Sequence, residues 1–193
     1  MIYIISFTFE TENGLEYHTA ELLIGADGAF SALRTAYTKT DRYNYQQFYI
    51  NHGYKELHIP PTENGEHQIN KNALHIWPRG KFMLIAMPNL DGSFTCTLFL
   101  PFEGEVSFEK ITTQKDAKDF FKTYFPNVRK EIENLTEDFF KNPTSAMVTM
   151  KCYPWTYWNK VALVGDSAHA IVPFYGQGMN AGFEDIYALN ELI

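Results

Sequence analysis

Two aspartates in this chain of 193 residues each follow a short apolar run and a glycine. The later one, Asp166, comes after the apolar residues 161–164 and Gly165, which together predict a buried strand and a sharp turn. Asp166 is therefore expected at the carboxyl end of a strand, where open α/β sheets bind their ligands.

A glycine-rich stretch follows this turn and leads into a predicted helix. Gly176, Gly178 and Gly182 allow the backbone to approach a flat ligand closely. Met179 and Asn180 are predicted to begin the helix. The N–H groups of a first helical turn have no partner within the helix, so they can donate to a ligand. The segment predicts a site for a polar, electron-rich group.

An earlier stretch of the chain repeats the same arrangement. Residues 22–24 predict a strand, Gly25 follows them, and Asp27 and Gly28 precede a short predicted helix at residues 31–38. The chain therefore carries two strand-glycine-aspartate turns, one near its beginning and one near its end.

These two stretches resemble the paired fingerprints of the flavin-dependent aromatic hydroxylases, which are single-component monooxygenases that contain FAD. The earlier family motif, GADGxxSxxR, is matched by Gly25, Ala26, Asp27, Gly28, Ser31 and Arg34. The later motif, GDxAHxxxPxxGQGxNxGxxD, is matched by Gly165, Asp166, Ala168, His169, Pro173, Gly176, Gln177, Gly178, Asn180, Gly182 and Asp185. Other stretches closely resemble one particular enzyme of that family, and these are residues 52–61, 74–103 and 172–185.

The resemblance implies a flavin site in which Asp166 binds the ribityl hydroxyl groups of FAD. A carboxylate suits that role because it only accepts hydrogen bonds, although it could also cap a helix. The N–H groups of Gly178, Met179 and Asn180 are expected to face the N1–C2=O edge of the flavin, where donors stabilise negative charge as an oxyanion hole does. NADPH is the implied co-substrate.

Other motif residues have more open roles. The resemblance implies that Asp27 lies near the FAD phosphates and NADPH, but an aspartate also suits a tight turn. Arg34 is expected to pair with a phosphate or with Asp27, or to lie on solvated surface. Pro173, Phe174 and Tyr175 are expected to border the aromatic ring of a small-molecule substrate.

The same resemblance and the apolar pattern predict an α/β (α+β) fold in two parts. Residues 1–35 and 155–193 are expected to form parts of an FAD/NAD(P)-binding, Rossmann-like layer. Residues 36–154 are expected to form the substrate domain, a mostly antiparallel sheet with helices.

Individual elements follow from local patterns. Asn13-Gly14 predicts a type I′ turn that joins residues 2–10 and 15–24 as a β-hairpin. The runs predicted as further strands are residues 46–52, 55–59, 73–77, 82–87, 94–100 and 147–153, and the predicted amphipathic helices are residues 114–125 and 129–140. Leu74, Ile76 and Phe82 are expected on one sheet face, as plain core or as lining of the substrate cavity.

Composition excludes several classes of function. A net charge of -7 opposes non-specific nucleic-acid binding, which requires positive charge. We find no apolar run of 18 residues and no signal-peptide pattern, so this segment is expected to be cytoplasmic with no membrane contact. Cys96 and Cys152 are expected to be reduced core residues. No catalytic side chain and no metal site are predicted, because a flavin carries the chemistry itself.

Residues 165–169 also resemble the Gly-Asp-Ser opening of a serine hydrolase family. Ser167 would be the nucleophile and His169 the base. On a helix these side chains diverge by about 200°, and a turn that joined them would leave no room for a third, orienting group. This alternative is disfavoured: Ser167→Ala should abolish the activity of a hydrolase, whereas on the flavin interpretation it should have little effect on activity.

The chain contains no G-x-G-x-x-G segment of the kind that binds the FAD pyrophosphate in the family. It begins in a strand-like run and ends in a helical one, whereas domains usually begin and end in exposed polar segments. We therefore expect an internal portion, roughly the middle two fifths, of a longer enzyme. The alternatives are a naturally short relative, a non-catalytic portion that binds FAD weakly, and a hydroxylase of another aromatic substrate.

Overall fold

The computed structural model describes the backbone of residues 4–193 and all of their side chains except those of residues 129–133. The chain divides into two compact units, Met1–Tyr49 with Val148–Ile193, and Ile50–Met147. The sequence placed the division at residues 35/36 and 154/155 instead. The assignment of the parts to flavin and substrate stays a prediction.

The chain contains ten strands and five α-helices among the described residues. In chain order the strands are β1 (Ile5–Thr11), β2 (Gly14–Ala20), β3 (Leu23–Gly25), β4 (Asn44–Ile59), β5 (His75–Pro78), β6 (Met83–Pro88), β7 (Phe94–Pro101), β8 (Ser145–Tyr153), β9 (Thr156–Tyr157) and β10 (Val161–Leu163). The α-helices are α1 (Ala32–Tyr37), α2 (Gln114–Tyr124), α3 (Ile132–Lys141), α4 (Asp166–His169) and α5 (Gly178–Leu192). This is the mixed α/β fold, with antiparallel sheets and helices, that the sequence predicted.

The first unit contains a hairpin as predicted, with β1 and β2 antiparallel and Thr11 paired with Gly14. Its second strand ends at Ala20 and not at residue 24, because residues 23–25 form β3 in another sheet. The two residues between the strands are Glu12 and Asn13, and neither has a positive φ. The turn is therefore not of type I′, because that type requires positive φ at both central positions. Residues 2 and 3 of the predicted strand lie outside the described residues.

A second sheet of the first unit is built around a parallel pair. β3 pairs in parallel with β10, which also pairs antiparallel with β9. All three residues of β10 are buried, and Val161 and Leu163 pack with Tyr37 of α1 and with Ala168. Because β3 and β10 run in the same direction, the turns that follow them lie at the same edge of the sheet.

The second unit buries one face of a five-stranded sheet whose order is β5-β6-β7-β4-β8. Its core contains alternate residues of β4, β6 and β7 together with aromatic residues of α2. α2 begins with a capping box between Thr113 and Asp116 and ends before Pro126, as the sequence predicted. Cys96 lies in this core, whereas Cys152 of the first unit is only partly buried.

The sequence predicted two strands at residues 46–52 and 55–59, and this was wrong. The structure has one strand, β4, that continues through Gly53. A Cβ at Gly53 would lie 2.8 Å from the Phe102 ring and 3.0 Å from the carbonyl oxygen of Ser145. The glycine therefore serves close packing and does not interrupt the strand.

Leu74, Ile76 and Phe82 do not share a face as predicted. Phe82 is 9% exposed and belongs to the core, whereas Leu74 and Ile76 are 56% and 53% exposed. In register, Ile76 of β5 lies beside Ile85 of β6, which lies beside Thr97 of β7. Ile76 and Ile85 therefore lie beside Thr97 on the open face of the sheet, outside the core.

In the described part of the chain, no helix is long and apolar enough to cross a membrane.

We predict that the core of the second unit supplies much of its stability. Leu135 of α3 is fully buried, and Leu135→Ala should lower the free energy of unfolding by about 2–5 kcal/mol because it leaves a cavity. Leu90→Ala is the matched control, since Leu90 is fully exposed, and it should change that energy by less than about 0.5 kcal/mol. Urea unfolding measures both, and equal effects would contradict this packing.

Candidate functional site

The turn after β3 is fixed by the carboxylate of Asp27. Its Oδ2 accepts hydrogen bonds from the N–H groups of Ala32 (2.8 Å) and Leu33 (3.2 Å). Its Oδ1 accepts a hydrogen bond from the Ser167 hydroxyl (3.0 Å). Asp27 thus satisfies free N–H groups at the start of α1 and at the same time contacts the turn after β10.

These hydrogen bonds also affect the ionisation of Asp27. Burial raises the pKa of the Asp27 carboxyl, but hydrogen bonds from Ser31, the Leu33 N–H and Ser167 outweigh it. The pKa of Asp27 therefore lies below its ordinary value of 3.8.

Ser167 links the two motifs. Its side chain is fully buried; its hydroxyl donates to Asp27 and accepts from the N–H of Gly28 (2.9 Å). The hydrogen bonds described for the Ser167 hydroxyl thus go to the earlier motif, while His169 Nε2 lies 2.7 Å from the Asp185 carboxylate. The nucleophile-base pair of the serine hydrolase alternative is therefore not formed.

Arg34 is 3% exposed, so its predicted place on solvated surface was wrong. Its guanidinium donates to the carbonyl oxygens of Ser167 (2.8 Å), Asp166 (3.5 Å) and Ala29. The described hydrogen bonds do not include the predicted pairing with Asp27. The reason is geometric, because α1 points the side chain at the backbone of the neighbouring turn.

Asp166 lies immediately after a strained glycine. Gly165 has φ +59 and occupies the N-cap position of α4, so Asp166 is the first helical residue and not the cap. The side chain of Asp166 is exposed, in contrast to the buried Ser167 beside it. This places an accessible acceptor at the carboxyl end of β10.

The first turn of α5 lies next to this carboxylate. α5 begins at Gly178, one residue before the predicted start, and a Cβ at Gly178 would lie 3.8 Å from Asp166 Oδ1. The N–H groups of Gly178, Met179 and Asn180 belong to this first turn and have no partner within the helix. An acceptor and several donors are therefore brought together, which fits the flavin arrangement that the motif implied.

The residues before α5 form a short 3-10 turn, Pro173–Tyr175. Pro173 and Tyr175 are exposed, with Tyr175 at 89%, and Phe174 is partly buried. Gly176 ends the turn in the left-handed region with φ +62, a conformation that glycine adopts readily. The role of these three residues at a substrate ring stays a prediction.

Sequence reasoning missed the contacts of Ser167 and Arg34, which join the two turns, and those of Asp185, which join α5 to the second turn. Arg34 and Asp185 were fixed positions of the two motifs, but a motif does not show what a side chain contacts. Ser167 occupied a variable position of the later motif. Among the described residues, no group of three or more potential metal ligands is found.

Comparison with known proteins gives a family and several relatives. A family model described as FAD binding domain matches residues 7–193. The chain is 61% identical over 186 residues to the kynurenine 3-monooxygenase of Christiangramia forsetii, covering 96% of this chain and 42% of that protein. The kynurenine 3-monooxygenase of Sus scrofa is 51% identical over 175 residues, covering 90% of this chain and 36% of that protein. The chain thus spans about two fifths of the length of these relatives.

Two solved structures have a similar fold. The tetrameric form of 2-methyl-3-hydroxypyridine-5-carboxylic acid oxygenase matches with a TM-score of 0.74 and 21% identity, over 95% of this chain and 47% of that one. Klebsiella pneumoniae HpxO complexed with FAD and uric acid matches with a TM-score of 0.71 and 22% identity, over 95% of this chain and 46% of that one. At these identities the likeness concerns the fold.

We predict that Ser167→Ala destabilises the protein. The change removes a donor to Asp27 and leaves the Gly28 N–H without its acceptor, so the free energy of unfolding should fall by about 1–3 kcal/mol. Urea unfolding measures this loss. Ser6→Ala, at an exposed position of β1, is the control, and a similar effect of both changes would argue against the link.

We also predict an acid-sensitive contribution from Asp27. Because its pKa is lowered in the folded protein, Asp27 adds stability above its unfolded value of 3.8 and loses it as the pH falls through the folded value. The difference in unfolding free energy between the protein and Asp27→Asn should therefore be greatest at neutral pH and shrink below about pH 4.

Asp41→Asn is the control for the loss of one negative charge, since Asp41 is exposed. Urea unfolding from pH 7 to pH 3 measures both differences. A difference for Asp27→Asn that stayed constant over this range would contradict the assignment.

Proposed function

We propose that this chain, which belongs to the FAD binding domain family, is the flavin-holding part of an NADPH-dependent monooxygenase that hydroxylates L-kynurenine at carbon 3. The flavin site is supported by one observation above all: the exposed Asp166 carboxylate lies beside the first turn of α5. The substrate is supported by identities of 61% and 51% to two kynurenine 3-monooxygenases.

The chemistry of the donor set fits a flavin. When bound, FAD supplies the redox chemistry, since it accepts hydride from NADPH and activates O2 for hydroxylation. The Asp166 carboxylate accepts hydrogen bonds from ribityl hydroxyl groups. The N–H groups of Gly178, Met179 and Asn180 donate to the N1–C2=O edge, and the α5 dipole adds to their effect.

Asp27 acts on the cofactor through the backbone. Both of its carboxylate oxygens already accept hydrogen bonds from this chain. A direct contact with a phosphate would also bring two negative charges together. Asp27 therefore shapes the turn at Gly28 and the start of α1, beside which the phosphate region of the cofactor is expected.

The substrate is held by apolar surface. Pro173, Phe174 and Tyr175 border its aromatic ring, and Tyr175 offers a largely exposed phenol ring for stacking. Reduced cysteines and a segment with no membrane contact fit a cytoplasmic protein.

The decisive measurement is on the purified protein. It should be yellow, release FAD on denaturation, and oxidise NADPH faster when L-kynurenine is added, with a product that is hydroxylated at carbon 3. A colourless protein that does not bind added FAD would refute flavin binding by this chain and would favour a non-catalytic portion of such an enzyme. Stimulation by another aromatic compound, with none by L-kynurenine, would refute the substrate.

We predict that Asp166→Ala weakens FAD binding by about tenfold to a hundredfold, the usual effect of losing hydrogen bonds to a charged group. Quenching of flavin fluorescence on titration measures the dissociation constant. Asp41→Ala is the matched control because Asp41 is also exposed, and it should leave that constant within about twofold. Equal constants for Asp166→Ala and the unchanged protein would remove Asp166 from the site.

A further inference from the structure

A single carboxylate oxygen joins α5 to the turn that carries Asp166. Oδ2 of Asp185, on α5, accepts a hydrogen bond from the N–H of Gly165 at 2.6 Å. The same oxygen lies 2.7 Å from Nε2 of His169, on α4. We call Asp185, Gly165 and His169 the carboxylate latch. It connects the strand end, the short helix after it and the long helix of the site.

The latch is only partly open to solvent. The side chains of His169 and Asp185 are 20% and 18% exposed. The ring of Trp155 packs beside His169, with 5.1 Å between ring centroids. A pair that is shielded in this way is screened less by water and salt than a surface pair, so its geometry is held more firmly.

A close backbone contact supports the latch. A Cβ at Gly182 would lie 3.6 Å from the Cα of Gly165, so α5 lies directly against the turn. Gly182 and Asp185 are three positions apart and therefore lie on the same face of α5. One face of the helix thus provides both the contact and the hydrogen-bond acceptor.

The two groups of the flavin site are adjacent to this face. Asp166 follows Gly165 directly, and Gly178 precedes Gly182 by one helical turn. The distance between the Asp166 carboxylate and the first turn of α5 is therefore fixed by the latch. A loss of the latch would let the acceptor and the donors move relative to each other.

We propose that Asp185 and His169 are positioning residues that hold Asp166 and the first turn of α5 at the spacing a flavin requires. This inference rests on the proposed function. His169 acts here as an orienting donor to Asp185 and not as an acid or base. The contacts of Asp185 go to the Gly165 N–H and to His169, so the effect is carried by the position of α5.

The test compares Asp185→Asn, His169→Ala, His169→Gln and the double variant Asp185→Asn/His169→Ala. FAD affinity should fall by about tenfold to a hundredfold for the first two, as expected for a broken charged hydrogen bond. The double variant should bind FAD no more weakly than the single variant with the lower affinity, because both residues belong to the same hydrogen-bonded pair. His169→Gln keeps an N–H donor and should recover part of the affinity.

The control is Glu184→Gln, which removes one negative charge from an exposed position next to Asp185. It should leave FAD affinity within about twofold. The reduction potential of the bound flavin is the second measurement. It should become more negative in the latch variants and not in the control, because the α5 donors stabilise negative charge less well when they are displaced.

The outcomes separate the inference from the proposed function. Variants that melt at lower temperature but keep both FAD affinity and reduction potential would overturn the positioning role. If the unchanged protein binds no FAD, the proposed function fails, and amide hydrogen exchange then tests the latch by itself. Asp185→Asn should speed exchange at Gly165, whose N–H donates to Asp185, and at Ala181, whose N–H donates to the Gln177 carbonyl at the start of α5. Unchanged exchange at both would overturn the latch.

Discussion

The parallel pairing of β3 with β10 is the constraint on which the site depends. It brings together two turns that are far apart in the chain, so that Ser167 can donate to Asp27 across 140 positions. Gly25 makes the pairing close, since a Cβ there would lie 2.6 Å from the Leu33 side chain and 2.9 Å from that of Leu163. The short pairing of β3 with β10 therefore fixes the positions of the two turns relative to each other.

Local elements could be predicted from the sequence where one signal dominates. The capping box at Thr113 and the proline after α2 define that helix without help from the rest of the fold. The signal at Gly53 was misleading, because a glycine in a strand also marks close packing, and the ring that packs on it belongs to Phe102. The hairpin was predicted correctly, but its turn was not, because the register is set by pairing along the whole of β1 and β2.

The site could be predicted only as far as its residues make local contacts. The turn at Asp166 and the helix after Gly176 follow from glycine spacing. The contacts of Arg34 and Asp185 depend on which backbone groups of distant segments come near, and a single sequence gives no measure of that distance. The alternating pattern also predicted that Leu74 and Ile76 share a face with Phe82. Only Phe82 is buried, because the two sides of the sheet differ in burial.

The burial of Arg34 has a consequence for any anion that approaches these turns. Its guanidinium stays charged in proteins, and the hydrogen bonds described for it go to backbone carbonyl oxygens, which carry no full negative charge. The positive charge is thus held in place without being cancelled by these partners, in surroundings that weaken its field less than water does. A polyanionic ligand near these turns would be attracted by this buried cation, and salt would screen that attraction less than it screens the attraction of surface lysines.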